Sequence, residues 1–364
     1  MVRRLLVPAV VAVLVTGVLR EGARAQFTVV SGVALQDSLA SNFRVDFAIP
    51  DGPAFALLPS NPSTILRPAG VRDLVMSIAD FAGPDGFRIP NALGIELSPA
   101  LLIMGGRLSL ASYQANPALY RLRLSGATQR STLTGDVTQL SLGMRISLID
   151  ESDLRTNPEY VSQATAVAEE INEIAFAARL RAGPPPAALV LTAEEKARIA
   201  ELNRLLKERW GNQRWNADML DLAVAARAGA DDLDGSDLEM AEYSAWATFG
   251  KGFGTWGQLL LGAKAQAVQD SLGDDDFSSS VQLLSRLYIG RNFYKAYAEG
   301  AVELGDADVA DWFVNVGAEV RLRESIWSTF AAGFAPESDD GETRLRARLA
   351  LKLGLPRFGG DGGG

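Results

Sequence analysis

The sequence predicts an all-β, antiparallel, up-and-down transmembrane barrel of about ten strands (twelve are allowed), with a helical insert and an irregular N-terminal segment. Three observations predict it. Residues 343–355 alternate without a break: Thr343, Leu345, Ala347, Leu349, Leu351, Leu353 and Leu355 share one face, against Arg344, Arg346, Arg348, Ala350, Lys352 and Gly354. The same two-faced pattern returns in several upstream segments. Short and long connections then alternate between the strands, as they do when the two ends of a barrel meet different compartments.

The opening residues read as an export signal. Arg3 and Arg4 supply a positive start, Leu5 to Val18 an apolar run, and Ala23-Arg24-Ala25 a small-x-small cleavage pattern ahead of Gln26. The run is too short to cross a bilayer as a helix, which takes roughly 20 residues. No second run of that length follows.

Composition closes several routes. Without Cys, an exported fold gains no disulfides and is held by packing, backbone hydrogen bonds or membrane burial. Without His, Ser-His-Asp and Cys-His catalysis and the common zinc sites are excluded. A net charge of −9 argues against nucleic acid as a partner. No carboxylate pair stands out for hydrolysis, so no catalytic residue, cofactor or metal ligand is expected.

The chain divides into a signal peptide (1–25), a periplasmic or plug-like segment (26–91), strands (92–150 and 240–358), a helical insert (151–239) and a Gly-rich tail (359–364). The 26–91 segment is rich in Pro and Gly, with one helical candidate near Val71 to Phe81. Its Asp51-Gly52-Pro53-Ala54-Phe55-Ala56-Leu57-Leu58-Pro59 run carries too many apolar side chains for a flexible linker. In the insert, Thr192 and Glu195 form a capping box ahead of Ile199, Leu202, Leu205 and Leu206. A helix near Ala166 to Leu180 precedes the Pro184-Pro185-Pro186 run, and a third is expected over Ala217 to Ala228.

Each further strand shows an apolar face opposite a charged or polar one. Leu140, Leu142, Met144, Ile146 and Leu148 oppose Gln139, Arg145 and Ser147. Leu259, Leu261 and Ala263 oppose Gln258 and Lys264, and Val281, Leu283, Leu287 and Ile289 oppose Gln282, Arg286 and Tyr288. Ala296, Ala298 and Val302 oppose Lys295, Glu299 and Glu303, while Val314, Val316 and Val320 oppose Asn315, Glu319 and Arg321. A shorter strand places Tyr120, Leu122 and Leu124 against Arg121 and Arg123. Weaker strands are expected near Leu93 to Leu97, Ala241 to Phe249 and Ile326 to Phe334.

With these ten strands, the short connections at Gln129 to Gly135, Gly250 to Gly254, Gly290 to Asn292 and Arg323-Glu324 fall on one side. The helical insert falls on the other, external side, with acidic loops at Asp270 to Asp276, Gly305 to Asp311 and Pro336 to Glu342. Those loops lack a calcium-binding motif and read as solvated tips. Phe249, Phe253, Trp256, Phe293 and Tyr294 flank short turns, where amphipathic rings favour a membrane interface.

A soluble β-sandwich also alternates, but its strands run about 5–6 residues and its inner face is apolar. Burying Arg344, Arg346, Arg348 and Lys352 unpaired would cost several kcal/mol each. Residues 92–150 and 240–358 resemble Gram-negative outer-membrane β-barrel proteins, the general porin-like class, with no narrower family motif. One departure is the tail: such barrels commonly end in an aromatic residue, whereas Phe358 is followed by six further residues.

The resemblance implies an outer-membrane location, lipid as a surrounding partner, and passage of small solutes, anions among them, through a narrow charged lumen. The lumen-lining candidates are Glu96, Arg121, Arg123, Arg145, Lys264, Arg286, Glu299, Glu319, Arg321, Arg344, Arg346, Arg348 and Lys352. Closure would bring the Arg344–Arg348 ladder beside Glu96. The alternative is a non-conducting structural barrel that displays the insert, 154–229, to a protein partner. The oligomeric state stays open.

Overall fold

The computed structural model describes residues 26–27, 47–67, 82–83, 86–87, 92–104, 109–131, 137–182, 190–210, 215–230, 238–269, 276–305, 311–323, 326–336 and 343–353. The signal peptide, the helix expected near Val71 to Phe81, the Gly-rich tail and all but the end residues of the three acidic loops lie outside them.

Most of the described chain is one up-and-down antiparallel sheet. Its long strands are β5 (Ala92–Leu97), β6 (Arg123–Ser131), β7 (Val137–Asp150), β8 (Met219–Ala230), β9 (Glu239–Phe253), β10 (Gly257–Gln269), β11 (Phe277–Arg291), β12 (Tyr294–Gly305), β13 (Asp311–Arg323), β14 (Ile326–Pro336) and β15 (Thr343–Leu353). They lie in sequence order. Two short strands flank them in parallel pairing: β1 (Gln26–Phe27) on β15, and β2 (Thr64–Leu66) on β5. A separate small hairpin joins β3 (Ala82–Gly83) and β4 (Gly86–Phe87).

The sheet is not closed among the described residues. In place of the β15–β5 pairing expected from the sequence, short pieces of the N-terminal segment pair with part of each edge strand, at Arg348 and Leu349 of β15 and at Leu93 to Ile95 of β5.

The chain falls into two compact units. One takes in Ala48–Thr255 and Lys264–Ser278. The other takes in the stretch ending at Phe47, Trp256–Ala263 and Ser279–Gly364, as far as these are described.

In the first unit, β7 pairs with β8 from Thr138↔Ala230 to Asp150↔Met219, and β8 with β9 from Met219↔Gly250 to Gly229↔Glu239. Strand β8 corrects the helix expected over Ala217 to Ala228 and moves the end of the insert from 239 to 218. Its alanines suit a helix locally. Leu220, Leu222 and Val224 also alternate with Asp221, Ala223 and Ala225, and pairing with strands on both sides decides the matter.

The connection from β5 to β6 is helical: α2 (Pro99–Met104), α3 (Leu110–Ala115) and α4 (Pro117–Arg121). Ser109 caps α3 by accepting from the Ser112 amide at 3.1 Å, and Pro117 starts α4, where its missing N–H costs nothing. The strand expected from Tyr120 therefore starts only at Arg123, and it continues to Ser131.

The insert holds a 3-10 turn (Leu154–Thr156) and two helices, α5 (Pro158–Ala182) and α6 (Ala193–Trp210). The Thr192 capping box forms: Thr192 donates its amide to Glu195 at 2.9 Å, and the Glu195 amide donates to the Thr192 hydroxyl at 3.2 Å. Arg181–Glu195, Arg198–Glu170 and Arg209–Glu159 ion pairs tie the helices together. Trp210 stacks edge-on against Tyr160 and donates its indole N–H to Gln163.

Both units invert the burial of a water-soluble sheet. In the first, Leu142, Met144, Val224, Tyr243 and Phe249 are 37–62 % exposed, while Ser141, Asp221, Glu242 and Thr248 are below 9 %. In the second, Val281, Leu283, Leu287, Ile289, Val314, Val316, Val320 and Leu322 are 39–58 % exposed, while Tyr288, Tyr297, Glu299 and Asn315 are below 8 %. Each large apolar side chain left in water forgoes about 1.5–3 kcal/mol of burial.

Candidate functional site

The buried polar face of the first unit is shaped around residues 48–66. A short helix, α1 (Pro53–Ala56), packs on β6, β7 and β8. Ser125 on β6 accepts from the Ala54 amide at 3.1 Å, and Ser141 on β7 donates to the Ala54 carbonyl at 2.7 Å. Both backbone groups of one residue are thus held by two strands.

Glycine makes room for this contact. A Cβ on Gly143 would stand 2.6 Å from the Ala54 nitrogen and 2.9 Å from Pro53, and one on Gly94 would press on Phe55. Ala54, Phe55 and Leu58 form a small buried cluster with Ala127. Arg145 on β7 reaches Asp51 at 2.5 Å and the Ile49 carbonyl at 3.5 Å, and turns its other nitrogen to Asp221 on β8 at 3.5 Å. Ser60 donates its amide to Gln129, and Arg67 pairs with Glu96 at 2.7 Å. Further along the face, Arg227 pairs with Glu242 at 3.1 Å.

The second unit carries a charge cluster on β11, β12 and β13. Arg286 pairs with Glu299, its cross-strand neighbour on β12. Asn315 donates to the same carboxylate at 2.7 Å. Arg286 donates to the Tyr288 hydroxyl at 2.7 Å, which donates in turn to Glu319 at 3.1 Å. Three rings surround the guanidinium: Phe47 at 5.0 Å, Tyr297 at 5.1 Å and Tyr288 at 5.4 Å. Gly317 leaves space for Tyr297, whose hydroxyl would lie 2.5 Å from a Cβ there. Nearby, Lys295 lies over Tyr288 and Trp327.

A third cluster sits in the connections of the first unit. Tyr113 on α3 donates to Asp153, which also accepts from Arg121 at 2.9 Å and from Arg155 at 2.8 and 3.0 Å. Burial alone would raise the Asp153 pKa. Hydrogen bonds from Arg155, Tyr113 and Arg121 outweigh that and hold it well below the usual carboxylate range. The Tyr113 pKa is raised, first by burial and then by the bond to Asp153. Gln114 donates to the Arg155 carbonyl at 2.8 Å, so the β5–β6 connection is joined to the start of the insert.

The thirteen expected polar-face residues are thus dispersed over several places. Glu96, Arg123 and Arg145 lie on the face that holds residues 48–66, with Arg123 3.8 Å from Glu96. Arg286, Glu299 and Glu319 form one cluster, and Arg321 lies over Trp327 at 5.9 Å. Lys264 is half-buried on β10. Arg346 is half-buried on β15, opposite Gly333, which itself pairs with Asn315. Arg344, Arg348 and Lys352 occupy register positions opposite Ala335, Ala331 and Trp327, their side chains lying outside the described set. Arg121 is a correction: it sits in the last turn of α4 and binds Asp153, because the helix claims the start of its expected strand.

The residues that sequence reading missed are the small ones. Ser125, Ser141 and Gly143 grip the N-terminal segment, and glycine inside a strand is a signal of close backbone approach. Among the described residues no group of three or more acidic side chains is arranged to hold a metal ion, and no helix is long and apolar enough to cross a membrane. Family models, curated proteins and solved structures offer no match to this chain.

Proposed function

We propose that this chain is an exported outer-membrane β-barrel protein, not an enzyme, whose lumen is filled at rest by its own N-terminal segment and by paired charges. In this reading the exposed apolar face meets lipid and the buried polar face lines the lumen. Passage of small solutes then requires residues 48–66 to withdraw, and the lining arginines favour anions. The inversion of burial carries the proposal: Val314 and Val316 are exposed on either side of Asn315, which is 1 % exposed. In water that arrangement wastes apolar burial; in lipid it is the expected alternation.

The plug is supported by the two-sided grip on Ala54 and by the flat floor at Gly143. A second reading is supported by the satisfied Arg286–Glu299–Asn315 network, which suits a permanently closed scaffold that displays the helical insert.

Planar-bilayer conductance of the refolded mature chain, beside a form lacking residues 26–91 and a Gly143→Val form, separates the two. Steps only in the altered forms support a plugged pore. Steps in the intact protein refute the plug. Silence in all three, with heat-modifiable migration showing folded barrels, leaves the scaffold.

A further inference from the structure

Strand β8 changes which end of the sheet carries the insert. Asp150 at the end of β7 pairs with Met219 at the start of β8, and Met219 pairs with Gly250 near the end of β9. Residues 151–218 therefore leave and re-enter the sheet at the end where β9 turns. Side chains hold this corner together: Asp218 accepts from the Gly252 amide at 2.8 Å and pairs with Lys251, and Asn216 donates to the Gly254 carbonyl at 2.9 Å. Leu97 pairs with Leu124, so α2–α4 leave from that end as well. The Tyr113–Asp153–Arg155 cluster joins the two helical connections into one platform.

The tight turn after β9, residues 254–256, belongs to this end. Residues 231–238 and 270–276 connect strands at the other end. In outer-membrane barrels the tight strand-to-strand turns face the periplasm, and the two helical connections share their end here.

Resting on the membrane reading above, we infer that the α5–α6 hairpin and α2–α4 face the periplasm, so any partner the platform binds is periplasmic. This reverses the external position expected from ten strands, because one additional strand flips the direction of everything before it.

The absence of Cys makes single-cysteine labelling clean. Phe176→Cys probes the hairpin, where Phe176 is 65 % exposed, and Glu239→Cys probes the opposite end, at the exposed start of β9. Full-length variants in a Gram-negative host are treated with a membrane-impermeant maleimide before and after outer-membrane permeabilisation. The expected result is E239C labelled in intact cells and F176C labelled only after permeabilisation. F176C labelled in intact cells with E239C protected overturns the sidedness and leaves the barrel standing. Equal labelling of both, in protein released without detergent, overturns the membrane reading itself.

Discussion

Gly143 lies directly under Ala54: a Cβ at position 143 would stand 2.6 Å from the Ala54 backbone nitrogen, closer than real Cβ contacts come. The wall strand and the segment that covers it are matched at the level of a missing methyl group.

Gly143→Val is therefore expected to lift residues 48–66 from the polar face while the sheet persists. Overpacking of this kind costs about 1–3 kcal/mol. Limited proteolysis should cleave the variant within residues 48–66 faster than the native chain, with heat-modifiable migration unchanged. Equal cleavage rates in the two proteins would show that the contact does not retain the segment.

Arg145 and Asp51 should behave asymmetrically. The Asp51 side chain is 94 % exposed, whereas that of Asp221, the other partner of Arg145, is 12 % exposed. Asp51→Ala removes a screened surface pair and should cost at most about 1 kcal/mol. Arg145→Ala leaves Asp221 buried without its cation and should cost about 1–3 kcal/mol. Urea unfolding in lipid vesicles, followed by Trp fluorescence, ranks the two; the reverse order would break the argument.

The Arg286–Glu299 pair offers a double-mutant cycle. Glu299→Leu takes the carboxylate away from a guanidinium set among Phe47, Tyr288 and Tyr297, and losing one partner of a buried pair costs about 3–5 kcal/mol. Replacing both residues with leucine should cost less than either single change, since the desolvation of the two charges disappears together. Additive losses would show that the two residues act independently.

Asp153 sets a pH window for the platform. Its folded-state pKa is depressed, so the stabilisation it contributes is fully present above the unfolded carboxylate value of about 3.9. It is lost as pH falls below that value through the lower folded-state pKa. Hydrogen exchange over residues 109–121 should thus stay constant from pH 7 to about 4, after correction for intrinsic rates, and accelerate below. Asp153→Asn should abolish that dependence. An unchanged acid profile in the variant would assign it to other groups.

Much of the strand pattern is legible because it is local. In β11 to β15, Arg286, Glu299, Glu319 and Arg346 on one face alternate with aliphatics on the other, and a period of two needs no knowledge of the partner strand. The Thr192–Glu195 cap is local for the same reason. Strand β8 was not legible, since Ala223, Ala225, Ala226 and Ala228 satisfy helical and extended periods alike. The grip on Ala54 was not legible either: Ser125 and Ser141 act across separations of 71 and 87 residues.

By itself, the sequence determined that this chain forms long two-faced strands, a helical hairpin capped at Thr192, and a face crowded with arginines and glutamates. Only the tertiary structure decided that 219–230 is a strand, that the insert leaves the sheet at the end where β9 turns, and that residues 49–60 dock on the polar face of the first unit. The division follows from range. Alternation and capping are set by neighbouring backbone and side-chain geometry, whereas strand identity in an alanine-rich stretch, direction within the sheet and the docking of a distant segment depend on partners remote in the chain.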